Sequence, residues 1–455
     1  MIKPVCIGFS LFFLLLLPVS CSRDKAAVQC ADYQLASDVT LKWHHLLLDL
    51  ERMTQGYRPP VSARMWAYTE VAAWQAALPG VPEALALDGH FEGMPAAPRF
   101  EGVFCLPASL NAAFAEIFRQ FFPTAPLHLI EKIKTLESDL LDQIKPGADA
   151  RGVEQSIAYG KKTALGVWRW SATDAIGHEG FLYNHDRGYV PPACAGCWQP
   201  GGDHPMPALL PNWGGVRAFV VPPMSVKLNP PLIHDDTPGS PFHAQAMELY
   251  TMSKPLTNEY RWIAEFWSDD VAGLTISPTG RWVSIVNQSL EQANLPLPQV
   301  LELYLKAALA SSDAFLTCWK GKYQFNLERP EAYIRRVVDP NWRPLHDSPN
   351  FPAYPSGHAT VGAAVSEVLG VFLGESFALT DRTHEGRTEF EGKPRSFRSF
   401  RQMAEENALS RLALGVHFRM DCDEGLRIGR LISKRVLALP VRKQEARISL
   451  KKVNP

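Results

Sequence analysis

The chain has no surplus of either charge: 46 lysines and arginines stand against 47 aspartates and glutamates, for a formal net charge of -1. With no global field there is no footprint for nucleic acid and no polybasic grip on a membrane surface, so any anion site has to be local. Beyond the N-terminal lead no run reaches the roughly 18 apolar residues that a membrane-spanning helix requires, which excludes an embedded protein. Period-two alternation is scarce, so a large sheet is excluded as the main element. There is no short internal repeat and no low-complexity tract. The run "CAGC" at Cys194 to Cys197 has redox or zinc spacing but neither a βαβ context nor a second Cys/His pair. It reads as a local disulfide or as two thiols in a Pro-rich loop.

What is present is an ordinary globular composition, 46% hydrophobic and 20% charged, over 455 residues. That length holds one large domain or two to three ordinary ones. The 37 prolines exceed the usual level of about 5% and point to long irregular connections. The lead "MIKPVCIGFSLFFLLLLPVSCSRDKA" has Lys3 as its positive start, an apolar stretch too short for a bilayer, and Ser20 at a cleavage point. Residues 1–21 resemble a bacterial lipoprotein signal, with Cys21 as the lipidated first residue of the mature chain. Pro18 stands where such signals usually carry Leu, and simple secretion is the alternative. The implied location is outside the cytoplasm, as an outer-membrane lipoprotein or a periplasmic or extracellular protein, with lipidated Cys21 the single membrane contact. Export permits disulfides among Cys30, Cys105, Cys194, Cys197, Cys318 and Cys422.

Helical spacing dominates the rest. "LASDVTLKWHHLLLDLERMT" predicts a helix behind a Ser37 or Asp38 cap, and "PVSARMWAYTEVAAWQAAL" and "PASLNAAFAEIFRQFF" each open with Pro in the first turn. "LPQVLELYLKAALASSDAFLTCWKGKYQF", "SGHATVGAAVSEVLGVFLG" and "FRQMAEENALSRLALGVHF" continue the pattern. We divide the mature chain into an N-terminal helical region, residues 30–295, containing an irregular Pro/Gly-rich loop at 180–231, and a C-terminal helical region, residues 296–440. The fold class is all-α, with helices packed in bundles.

Three segments carry chemistry. In "FPAYPSGHATVGAAV" Pro355 pushes the preceding residue out of helix, Ser356 caps the helix that starts there, and the free N–H groups beside Gly357 make an anion site. In "KGKYQFNLERP" Lys322 and Arg329 are seven residues apart, so on one helix both point the same way and suit a multiply charged oxyanion. In "SRLALGVHFRMD" Asp421 can hold one ring nitrogen of His417 and leave the other facing outward. Arg411 and His417 lie about 240° apart on an ideal helix and converge only if the helix breaks between them, which Gly415 permits.

Together these segments resemble the superfamily of type-2 phosphatidic acid phosphatases and vanadium haloperoxidases. Its pattern is met by Lys322, Arg329 and Pro330, then Pro355, Ser356, Gly357 and His358, then Ser410, Arg411, His417 and Asp421. Trp319 and Phe351 are similar to the aromatic pair on the peroxide and halide side in fungal chloroperoxidase. "YRPPVSARMWAYTEVAAW", "PALLPNWGGVRAFVV" and "EYRWIAEFWSDD" extend the likeness to bacterial haloperoxidase-like proteins over nearly the whole mature chain. The resemblance implies two four-helix-bundle units, a vanadate cofactor, and hydrogen peroxide and a halide, iodide or bromide foremost, as small-molecule partners. It implies that His417 ligates vanadium and Asp421 orients it. Lys322, Arg329 and Arg411 would balance the vanadate oxygens, with Ser356 and the Gly357 N–H donating to them. His358 would be the acid–base residue, and Lys322 would polarise the peroxide.

The same superfamily offers an acid phosphatase, with His417 as the phosphorylated nucleophile and His358 protonating the leaving oxygen. A non-catalytic oxyanion-binding surface lipoprotein is a further alternative, against which the acid–base His358 weighs. The gap from His358 to Arg411 is shorter than in the fungal enzyme, and algal bromoperoxidases carry His where this chain has Phe351. Neither the halide nor the oligomeric state is legible.

Overall fold

A computed structural model describes residues 32–201, 205–269, 271 and 273–443. The lead 1–21, and Cys21 and Cys30 with it, lies outside the described residues. The first helices are α1 (Tyr33–Met53), α2 (Pro59–Ala77), α3 (Leu106–Phe121), α4 (Leu127–Ile144), α5 (Ala150–Ala172) and the single turn α6 (Ala175–His178). Then come α7 (Pro241–Ser253), α8 (Asn258–Phe266), α9 (Pro278–Gln292), α10 (Leu297–Phe325) and α11 (Pro330–Val337). The last are α12 (Gly357–Leu373), α13 (Phe400–Leu414) and α14 (Arg419–Leu437). Strands amount to two short antiparallel pairs among the described residues: β1 (His185–Asp186) with β2 (Ala208–Leu209), and β3 (Leu379–Asp381) with β4 (Arg395–Phe397). The fold is all-α, as the residue pattern predicts.

Helices α2, α3 and α5 pack on one another with α1 and α4 outside them, and α12, α13 and α14 form a second group. Helix α10 joins the two, lying against α2 on one side and α12 on the other. Helix α2 is buried on every face, as expected of a central helix without an amphipathic stripe. Its charged residues are therefore paired: Glu70 with His44 at 2.7 Å, and Arg64 with Asp174 at 3.2 Å. Among the described residues of 180–231, regular structure amounts to β1, β2 and two short 3-10 turns, and the stretch is moored to the middle of α10. There the buried Asp313 carboxylate accepts the N–H groups of Phe219, Val220 and Val221 at 2.7–2.9 Å.

Two sequence expectations are corrected. The cap of α1 is Asp32, which accepts from Leu35 N at 2.9 Å, and not Ser37 or Asp38. The extra first turn is held by Tyr33, whose hydroxyl donates to Gly80 O. Lys322 and Arg329 do not share a helix. Helix α10 stops at Asn326, which adopts a left-handed φ of 47°, and Arg329 instead caps α11.

Candidate active site

Five helix ends bring the predicted residues together. Ser356 caps α12, its Oγ accepting from Ala359 N at 3.5 Å. Helix α13 ends at Gly415, whose φ of 90° turns the chain. Phe418 then caps α14, and Asp421 in that first turn accepts Phe418 N at 3.0 Å. Arg411 and His417 therefore converge through a helix break at Gly415, the condition their spacing required. With the end of α10 and the cap of α11, these breaks frame a cavity of about 230 Å³ walled by Trp319, Phe351, Gly357, His358, Arg411 and His417.

Each cation is held in its own way. Lys322 is fully buried and its Nζ donates to the carbonyls of Pro352 (3.0 Å), Ala353 (2.9 Å) and Pro355 (2.6 Å). It also lies 5.0 Å from the Phe351 ring and 5.7 Å from the Trp319 ring. All three of its protons are thus committed to the chain that leads into Ser356. Arg329 donates Nε to Phe351 O and one terminal nitrogen to Val416 O, both at 2.9 Å. Its other terminal nitrogen, Nη2, is buried without a hydrogen-bond partner among the described residues. Arg411 donates to Ser410 Oγ at 3.0 Å and to Trp267 O.

The hydrogen bonds assign the tautomers. Arginine only donates, so the 3.2 Å contacts from Arg329 to His417 Nε2 and from Arg411 to His358 Nε2 make both nitrogens acceptors. His417 Nδ1 accordingly carries the proton and donates it to Asp421 Oδ2 at 2.9 Å. Burial holds both histidines well below the ordinary imidazole range, with Arg411 for His358 and Arg329 for His417 acting in the same direction. Burial also pushes the Lys322 ammonium down and the Asp421 carboxyl up. Arg58, Arg411 and the two neutral histidines line the cavity together with Asp269 and Asp347, and the buried Lys322 and Arg329 add positive charge beside it. An anion entering it gains the interactions that water does not supply.

A tetrahedral oxyanion fits these residues. The unpartnered Arg329 Nη2 is one donor, and the Gly357 N–H at the start of α12 is another. Gly357 itself leaves room, since a Cβ there would lie 3.3 Å from Phe315 and 3.5 Å from Trp319. His417 Nε2 offers a lone pair of the kind a metal takes, with its carboxylate support in place.

Other residues at the cavity carry no motif. Asp269 lines it and is buried, accepting from Arg281 at 3.2 Å. Despite burial, Arg281 and nearby histidines hold its carboxyl below the usual range. His346 stands at the rim, its Nδ1 3.5 Å from Ser268 Oγ. The only signal for either in the sequence is proximity to "EFWSDD" and to Phe351.

The fold is helical, with a cavity that an oxyanion would fit, and the comparisons with known proteins narrow its class. A family model for the VCPO second helical-bundle domain matches residues 302–443. The vanadium chloroperoxidase of Curvularia inaequalis is 26% identical over 213 residues, a match covering 34% of this chain and 35% of that enzyme. The match thus spans about a third of the fungal relative's length. The crystal structure of a bacterial vanadium-dependent iodoperoxidase superposes with a TM-score of 0.77 at 26% identity, covering 88% of this chain and 96% of the other. A holo-type bacterial vanadium-dependent chloroperoxidase shares the fold, with a TM-score of 0.65 at 18% identity over 85% of this chain and 92% of the other. Residues 302–443 thus match the family of the VCPO second helical-bundle domain, and the chain has the fold of these bacterial vanadium haloperoxidases.

Proposed function

We propose that the protein is a vanadium-dependent haloperoxidase that oxidises iodide, and bromide less readily, with hydrogen peroxide to the hypohalous acid. The observation that carries this reading is one cavity walled by His358, Arg411 and His417, with Arg329 bonded to His417 Nε2 at 3.2 Å and Asp421 behind that ring. Vanadate would be held by His417, Arg329, Arg411, Ser356 and the Gly357 N–H, and when bound supplies the Lewis acidity that activates peroxide.

The residues divide the work. Asp421 keeps the His417 proton on Nδ1, so Nε2 stays a lone-pair donor. His358, neutral and facing the cavity, can take a proton from hydrogen peroxide and return it to a departing oxygen. Lys322 acts from beneath the cradle, fixing the carbonyls of 352, 353 and 355 and adding its charge. Trp319 and Phe351, with ring centroids 5.0 Å apart, form an apolar wall beside the cavity, suited to a poorly hydrated halide. Iodide is favoured because it gives up electrons most readily, and the similar bacterial structure is that of an iodoperoxidase. Residues 1–21 make export with a lipidated Cys21 part of the same proposal.

A neutral histidine braced by a buried carboxylate is also what a phosphohistidine-forming phosphatase needs. The test runs both reactions on one preparation: peroxide-dependent halide oxidation with and without orthovanadate, beside hydrolysis of a chromogenic phosphate ester. The reading expects vanadate-dependent halide oxidation. Ester hydrolysis with no halide oxidation at any vanadate concentration would overturn it.

A further inference from the structure

The "CAGC" run is not used by the mechanism, yet it lies against the site. Cys194 and Cys197 form a disulfide, and the loop it closes is paired by main chain to the residues that lead into Arg329. Trp198 N donates to Asn326 O at 2.7 Å, Glu328 N donates to Gly196 O at 2.9 Å, and Cys197 bridges Leu327. On the other side of that segment, Ala353 N donates to Leu327 O at 2.9 Å. Residues 326–328 are therefore held by main-chain bonds between the disulfide loop and the chain that enters Ser356. Arg329 comes directly after them, and its own side-chain anchors, Phe351 O and Val416 O, lie beyond the pairing.

Little else holds the loop. Cys194, Ala195, Gln199 and Pro200 are exposed, and Trp198 is the one buried side chain among residues 194–200. Gly196 has a φ of 72°, and a Cβ there would lie 2.3 Å from the His234 ring. His234 in turn holds Glu328 at 2.8 Å. A cavity of about 540 Å³, walled by Cys197, Trp198, Glu328, Arg329 and Asn350, leaves the disulfide approachable from solvent. Closing so short a ring restricts the alternative conformations of an otherwise weakly packed loop.

We propose that the Cys194–Cys197 disulfide is a positioning element for the oxyanion site, keeping Gly196 and Trp198 paired to residues 326–328 so that Arg329 is presented with its free terminal nitrogen toward the anion. The inference rests on the oxyanion reading of the cavity and not on whether the cavity oxidises halide or hydrolyses esters.

Inorganic phosphate is the probe, titrated by calorimetry into the full chain freed of vanadate. Two changes reach the loop independently: Cys194→Ser with Cys197→Ser removes the bridge, and Gly196→Ala displaces the turn with the thiols untouched. Each is expected to weaken phosphate binding about tenfold or more, the usual loss when a residue supporting an anion or metal contact is removed. Thermal melting should stay cooperative, and faster amide exchange in the ligand-free chain should be confined to residues 326–329. Dithiothreitol should bring the unsubstituted chain to the affinity of the double variant, leave that variant unchanged, and be reversed by reoxidation. Phosphate affinity unchanged in both variants overturns the proposal, as does faster exchange spread over the whole chain, which marks a general staple. Failure of the unsubstituted chain to bind phosphate contradicts the oxyanion reading itself and takes this inference with it.

Discussion

His417 and His358 look alike in isolation: both neutral, both accepting at Nε2 from an arginine at 3.2 Å. They differ in what stands behind the ring. Asp421 holds the Nδ1 proton of His417, so that ring is fixed as a lone-pair donor, whereas the one side-chain hydrogen bond of His358 among the described residues is that from Arg411. His417→Ala is accordingly expected to abolish vanadium retention while the chain still folds. Stoichiometric vanadium on the purified variant, read by elemental analysis, would refute the assignment. His358→Ala should keep vanadate and lose about 10² to 10⁴ in turnover, the usual size of acid–base assistance. Parallel loss of vanadate affinity and rate would instead make His358 part of the binding cradle.

At the scale of elements, the site depends on where helices stop. Gly415 ends α13 at a φ of 90°, and a Cβ there would lie 3.0 Å from Pro344 and from Trp342. Gly415→Ala should cost about 1 to 3 kcal/mol from backbone strain alone, and phosphate affinity should fall with it as Arg411 and His417 move apart. Urea unfolding that differs by less than about 0.5 kcal/mol, within the range of neutral surface changes, would show that the break is not needed. This junction was legible in the sequence because Arg411 and His417 could not otherwise meet. The cap of α12 at Ser356 was legible for a local reason, a Pro followed by a capping side chain. The course from Lys322 to Arg329 was not: the spacing fits two turns, and nothing local announces that Asn326 turns left-handed. Helix α5 was also missed, since Gly152, Gly160 and Gly166 weaken its pattern. Gly160 is there for packing, as a Cβ would lie 2.1 Å from Ser109 O. Asp269 and His346 were illegible as site residues because only tertiary packing brings them to the cavity.

On the scale of the molecule, α10 is the shared member, and Asp313 near its middle ties residues 219–221 to it. Burial pushes this carboxyl up to about 6, against three N–H bonds that act the other way. The unfolded chain keeps an ordinary aspartate near 3.8. Between those values the folded chain holds a proton that the unfolded chain has lost, so this group adds stability as the pH falls through about 6. The stability difference between the unsubstituted chain and Asp313→Asn should therefore widen from about pH 7 to about pH 5. Urea titrations at the two values decide it, and a narrowing gap would mean that the three N–H groups outweigh burial.

The central claim is that one cavity recognises tetrahedral oxyanions and, with vanadate, oxidises halide. Both phosphate and vanadate present charge and shape to Arg329, Arg411 and the start of α12, so they should compete. The measurement is peroxide-dependent triiodide formation by the vanadate-free protein titrated with orthovanadate, repeated in excess phosphate. Activity should rise to saturation with vanadate, shift to higher vanadate in phosphate, and recover fully when vanadate is raised further. Vanadate that produces no triiodide yet blocks phosphate-ester hydrolysis would contradict the account and make the protein a phosphatase.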